Sequence, residues 1–221
     1  MTFSILARDC ETGAIGGAAA TGSLCVGGWV LRGDLAAGMS ASQGASPSTF
    51  WGEEVLWRMV DGVEVAEAVE RVTSKDRGRE HRQLSALDLR GNSATFTGTG
   101  NLDAKGSLVF PNGVVAGNML SGRNVLPAMA DTFDNSDLVF AERLIACLSA
   151  ANSAGGDYRG LLSAALLILR PERPPLTLRI DHHDDDPIGA LQQLYEKATS
   201  GEYAKWSRQV PVATDRERIL V

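Results

Sequence analysis

Thr2 directly follows the initiating methionine. A residue that small permits methionine removal after translation, and removal is expected to leave one residue carrying both a hydroxyl and a free α-amine. An unperturbed α-amine has a pKa of about 7.7–8.0, so an appreciable fraction is neutral near pH 7 and can take the hydroxyl proton directly or through one water. A threonine paired with its own amine in this way is an activated nucleophile suited to attack on a carboxamide. Such an attack needs donors aimed at the developing oxyanion, and the backbone N–H groups of Ser42-Gln43-Gly44 or the side-chain amide of Asn118 can supply them. Gly44 and Gly117 allow a ligand to approach the backbone, although for either glycine taken singly the turn reading is the better one. Asp157 can orient the amine and Arg159 can clamp a substrate carboxylate bidentately, or the two can pair with each other across their loop.

Other chemistry is weaker. His182-His183-Asp184-Asp185-Asp186 invites a metal reading, but adjacent histidines on a strand point to opposite faces, and Asp186 before Pro187 starts a helix. A structural loop is preferred, and neither metal nor cofactor is expected. His81 stands equally as a surface residue or a participant. Trp29, Trp51 and Trp57 read as core or pocket wall rather than a platform for stacked bases.

The chain that must position these residues has 221 of them, 44% hydrophobic and 22% charged, which suits one folded domain with a substantial core. A net charge of −6 argues against a binder of phosphate backbones, so no nucleic-acid partner is expected. No apolar run approaches the length of a membrane span and no charged-then-apolar leader is evident, so no membrane partner and a cytoplasmic location are expected. Cys10, Cys25 and Cys147 are odd in number and widely spaced, which suggests buried small hydrophobes rather than disulfides or a zinc site.

Alternation over Thr2–Arg8, a turn at Asp9–Gly13 and a Gly/Ala-rich run from Ile15 to Thr21 predict an antiparallel hairpin whose first strand fixes the terminus. Further strands are expected from Leu24 or Cys25 to Leu31 and from Leu35 to Ser42. Helices over about 50–61 and 63–74 form a pair capped by Ser48 or Thr49. Strands are predicted at 82–89, 93–97, 109–110 and 114–116. A second helix pair follows at 121–133 and 137–151, with Asp137 capping the latter. Strands at 161–169 and 176–181 and a helix from Pro187 to about Thr199 complete residues 1–200 as one domain. Residues 201–221 read as an extended arm or partner contact with Trp206 as its anchor. This order of strands, helix pair, strands, helix pair, strands and helix predicts an α+β protein in which two antiparallel sheets stack between helix layers, a four-layer αββα sandwich.

The motifs now gathered resemble an uncharacterised bacterial family, a domain of unknown function grouped with the N-terminal nucleophile (Ntn) hydrolase superfamily. The resemblance rests on Thr2-Phe3-Ser4-Ile5, Ala7-Arg8-Asp9, Glu11-Thr12-Gly13, Gly78-Arg79-Glu80-His81-Arg82-Gln83 and Gly117-Asn118 with Leu120 and Gly122. It continues through Gly155-Gly156-Asp157, Arg159-Gly160, Ser163-Ala164-Ala165-Leu166 and Asp186-Pro187-Ile188, spanning about residues 2–197. It implies an Ntn-hydrolase-like αββα fold and hydrolysis of an amide bond through an acyl-enzyme on the N-terminal residue. It also implies a role for Arg32, placed much as superfamily members place a lysine or arginine beside the amine, against the alternative of a solvated arginine at a strand end. The chain departs from the family pattern in having Ala116 where a glutamine is expected and no glutamine near Leu162.

The resulting expectation is an amidohydrolase acting on a small amide, with Thr2 as nucleophile, Arg32, Asn118 and Asp157 assisting, and Ser42, Gln43, Gly44, Gly117 and Arg159 lining the substrate site. A homodimer or higher homo-oligomer is expected. The alternative is a protein that keeps the fold for binding or scaffolding without turnover.

Overall fold

A computed structural model describes residues 2–102, 104–157 and 159–220. Met1, on whose removal the reading above depends, lies outside the described residues. Among them are ten strands in two antiparallel sheets, and seven α-helices.

The hairpin at the start of the chain forms as its sequence predicts. β1 (Thr2–Arg8) and β2 (Ile15–Thr21) pair from Thr2 opposite Thr21 to Arg8 opposite Ile15. Phe3 and Ile5 are fully buried. Burial of each such side chain is worth about 1.5–3 kcal/mol, which holds β1 in place from its second residue. β2 is buried along its whole length, and its small residues let neighbours approach from both sides. A Cβ on Gly16 would lie 3.0 Å from a ring carbon of Phe140, and one on Gly17 would lie 2.7 Å from Leu6.

The next segment departs from the strand expected there. Cys25 adopts a left-handed φ of 61°, and Val26–Trp29 forms a one-turn helix, α1. The tertiary setting explains this: the Val26 N–H donates to Ser163 Oγ, and Gly27 admits the Arg179 side chain, 2.7 Å from where a Cβ would stand. β3 (Leu31–Asp34) accordingly shares only Leu31 with the strand expected there, and β4 (Gly38–Gln43) begins three residues later than predicted and ends one later. Helices α2 (Thr49–Val60) and α3 (Val65–Thr73) follow, then β5 (Gln83–Asp88), β6 (Ser93–Thr97), β7 (Gly106–Phe110) and β8 (Gly113–Asn118).

α4 (Val125–Asp134) and α5 (Phe140–Ser153) both begin later than expected, and Asp137 is not the cap of α5, which starts after Val139 with no side-chain cap bond. Met119 has a left-handed φ of 58° and the Ser121 N–H is held by the Gly156 carbonyl, so the chain there is committed to a turn. β9 (Ser163–Arg170) and β10 (Arg173–Ile180) lead into α6 (Pro187–Thr199), where the predicted cap is present: Asp186 Oδ1 accepts the Gly189 N–H at 2.8 Å. The segment from Gly201 is not an extended arm over its first part. Gly201–Ser207 is a helix, α7, that packs on α6 and buries Ala204.

The larger sheet has the order β10-β9-β2-β1-β8-β7 and the smaller β3-β4-β5-β6. Alternation along the strands separates three apolar clusters. Phe3, Ile5, Ala18, Val115 and Leu166 point from the larger sheet to α4, α5 and α6. Leu6, Ala19, Val114 and Ala165 point the other way and meet Leu31, Met39, Ala41 and Leu87 of the smaller sheet. Trp51, Val55 and Leu56 of α2 and Val69 of α3 cover the outer face of the smaller sheet through Leu84 and Ala86. Of the cysteines expected inside, only Cys147 is buried; Cys10 is exposed in the first turn.

Candidate functional site

The inter-sheet layer changes from apolar to polar along the strands. Directly opposed residues of an antiparallel pair share a face, so Ser163, Thr21, Thr2 and Asn118 form one row across β9, β2, β1 and β8. The facing sheet presents a second polar row, Gln43, Gln83 and Thr97 across β4, β5 and β6.

Hydrogen bonds fix both rows. Thr2 Oγ1 donates to Thr21 Oγ1 at 3.1 Å. Gln83 Nε2 donates to Thr97 Oγ1 at 2.8 Å, to the Gly106 carbonyl at 2.9 Å and to the Gly117 carbonyl at 3.1 Å. Those acceptors leave Gln83 Oε1 to receive Gln43 Nε2 at 2.7 Å and Asn118 Nδ2 at 3.3 Å. Gln43 Nε2 also lies 3.5 Å from the Thr2 carbonyl oxygen, so the two sheets are tied at the strand that carries Thr2. Ser163 Oγ donates to the Ser23 carbonyl at 2.7 Å while accepting from Val26, which braces the loop above Thr21.

Thr2 lines a pocket of about 660 Å³ with Thr21, Trp29, Gln43, Gly44 and Arg159. Leu24, Trp29 and Leu102 form an apolar part of its wall and are about half exposed. Arg159 in its wall has a side chain 35% exposed, whereas that of its partner Asp157 is fully buried. Arg159 grips the carboxylate with Nε on Oδ1 at 3.1 Å and Nη2 on Oδ2 at 3.0 Å, and its backbone N–H adds a bond to Oδ1 at 2.8 Å. Asp157 Oδ2 also accepts the Gly22 N–H at 2.8 Å. Gly22 follows Thr21, so the register sets this carboxylate near the point where β1 begins. Burial pushes the Asp157 carboxyl up, but the hydrogen bonds from Arg159 outweigh it and hold the group below the usual carboxylate range.

The residues expected at a site therefore divide. Thr2, Gln43, Gly44 and Arg159 reach one pocket, with Asp157 paired to Arg159. Asn118 and Gly117 adjoin Thr2 in register, but they serve the Gln83 network between the sheets. Ser42 does not face the pocket: alternation on β4 turns its hydroxyl to the Ser48 carbonyl at 2.6 Å, and its N–H is taken by the Val30 carbonyl at 3.0 Å. Arg32 is likewise on the helix-facing side of the smaller sheet, bonded to the Leu31 and Gly28 carbonyls and 3.5 Å from Glu53 of α2. It is not the cation beside Thr2; Arg159 is the arginine in the pocket wall.

Neither Thr21 nor Gln83 was given a site role from the sequence, although Gln83 closes one of the motifs that carry the resemblance. Thr21 is the residue opposite Thr2 once the first hairpin is drawn with its ends aligned, and Gln83 is a polar residue opening a strand whose next four residues, Leu84 to Leu87, are small or apolar. No group of three or more metal-ligating side chains occurs among the described residues, and no helix there is long and apolar enough to cross a membrane.

The model of a family described as a family of unknown function (DUF1028) matches residues 2–191. The crystal structure of protein SPO2555 from Silicibacter pomeroyi, described with the same family model, is 65% identical to this chain. The similarity covers 100% of this chain and 99% of that one, with a TM-score of 0.97. No curated protein matches the chain.

Proposed function

The chain belongs to the DUF1028 family of unknown function, and from that premise we propose that it is an amidohydrolase of the N-terminal nucleophile type, built on an Ntn-hydrolase-like αββα sandwich and acting on a small amide. One observation carries the reading. The hydroxyl of the residue after Met1 sits at the end of an interior strand, on the wall of a cavity, 3.1 Å from a second hydroxyl and near a buried carboxylate paired to a partly exposed guanidinium.

In this mechanism methionine removal frees the Thr2 amine. The neutral amine takes the proton from Oγ1 as Oγ1 attacks the substrate carbonyl, and Thr21 Oγ1 orients the nucleophile. The oxyanion draws on the N–H of Gly44, which lines the pocket. Collapse of the tetrahedral adduct expels the substrate amine, which receives the proton held by the α-amine. A water, deprotonated by the same amine, then cleaves the resulting ester and releases the acid. Asp157 provides a negative charge near the start of β1 and Arg159 keeps that charge in place.

Intact mass of the purified protein is expected to show loss of Met1. Screening amides, ureides and lactams with the processed protein is expected to yield a substrate whose turnover falls about 10³-fold or more in Thr2→Ala and survives in part in Thr2→Ser. The rate is expected to rise with pH as the amine loses its proton, with a limb near the ordinary α-amine value of about 7.7–8.0. Full activity in Thr2→Ala would defeat the mechanism. A retained Met1, with no labelling of Thr2 by electrophiles, would favour a binding or scaffolding role.

A further inference from the structure

We propose that a second ligand site, separate from the Thr2 pocket, takes a planar aromatic carboxylate between the β9–β10 hairpin and α7. The observation behind it is an arrangement of charge. Arg170 and Arg173 are cross-strand partners at the hairpin end, and like charges placed directly opposite each other on a sheet are unfavourable. Arg208, just after α7, joins them around one cavity of about 400 Å³. Among the described residues none of the three guanidinium groups has an ion-pair partner, and no carboxylate lines the cavity. Glu172, in the turn between the paired arginines, bridges neither. The chain as a whole carries a net charge of −6, so three unneutralised arginines in one cavity are a local feature and not the overflow of a basic protein.

The rest of the wall specifies the body of the ligand. Tyr203 and Trp206 of α7 present tilted rings with centroids 5.5 Å apart and remain 57% and 49% exposed. Tyr195 of α6 and Leu176 of β10 contribute further apolar surface. Aromatic faces favour a flat ring, and guanidinium forks favour a carboxylate held bidentately, so one molecule satisfies both parts of the cavity. The volume lies in the range of about 300–1,000 Å³ found for small-molecule sites.

Two facts separate this cavity from the Thr2 pocket. β9 runs seven residue steps from Ser163 beside Thr21 to Arg170, about 23 Å at about 3.3 Å per residue. Ser163 also points between the sheets, whereas Ile168 and Arg170 lie on the opposite, helix-covered face. The proposal therefore stands whether or not Thr2 is a nucleophile.

Naphthalene-2-carboxylate and its uncharged isostere naphthalene-2-carboxamide, titrated into the full-length protein by calorimetry and tryptophan fluorescence, test it. Saturable one-to-one binding of the carboxylate is expected, with the carboxamide about tenfold weaker or more. Trp206→Phe is expected to abolish the fluorescence change. Arg170→Gln combined with Arg173→Gln is expected to weaken binding about tenfold without lowering the melting temperature, because it removes a repulsion. Arg208→Gln provides the same reading should the double variant fail to fold. Equal binding of the two compounds, no saturation at millimolar concentration, displacement by equimolar inorganic phosphate, or wild-type affinity in the arginine variants would overturn the site.

Discussion

Asp157 is the residue on which the geometry of the Thr2 pocket turns, because its two oxygens hold Arg159 and the Gly22 N–H at once. Its carboxyl is held below the usual range, so the folded state binds its proton less readily than the unfolded chain does. The stability it contributes is present above the unfolded value and is lost as pH falls through the lower folded value. Acid unfolding of Asp157→Asn, followed by circular dichroism, is expected to lack this acid-side loss, while at neutral pH the variant is less stable by about 2 kcal/mol for the missing charged hydrogen bonds. The cysteines give a contrast at the same scale. Burial pushes the Cys147 thiol up to about 12, whereas Cys10 is exposed in a turn. Iodoacetamide at neutral pH is expected to label Cys10 in the native protein and Cys147 only after unfolding, as read by peptide mass spectrometry.

At the scale of elements, β2 and α6 show how local sequence meets tertiary demand. β2 has no room for larger side chains, since Gly17 packs against Leu6 and the Ile5 carbonyl on the inter-sheet side. Gly17→Val is expected to lower stability by about 1–3 kcal/mol in urea unfolding, from overpacking where the two sheets meet. α6 depends on its first residues: Asp186→Ala removes the oxygen that accepts the Gly189 N–H and is expected to cost about 1 kcal/mol in the same assay. That start is written into Asp186-Pro187, and it was legible. The helix at Val26–Trp29 was not, because its residues read as a strand until Ser163 and Arg179 of the β9–β10 hairpin are brought against them. α7 escaped notice for a similar reason, since its single buried side chain gives no periodic apolar face to read.

At the scale of the whole molecule, the three apolar clusters share strands. β1 and β2 contribute to the clusters on both faces of the larger sheet, and β4 and β5 lie between the inter-sheet cluster and the α2–α3 layer. No layer can separate without exposing its neighbour, so unfolding followed by tryptophan fluorescence and by far-ultraviolet circular dichroism is expected to give coincident transitions. The sequence by itself determined the α+β character, the first hairpin, both helix pairs, and the hydroxyl at Thr2, because period-two and helical apolar patterns, turn residues and caps act over a few neighbouring positions. Only the tertiary structure decided which polar residues face one another. Ser42 and Gln43 are adjacent in the chain, yet strand alternation sends one to the helix layer and the other to Thr2. Arg32 is directed to Glu53 on one side of a sheet, while Arg159, far along the chain, reaches the pocket through a loop anchored on Asp157. Such choices depend on which face of a sheet a second sheet covers. That is set by burial summed over the whole chain and leaves no local mark in the residues concerned.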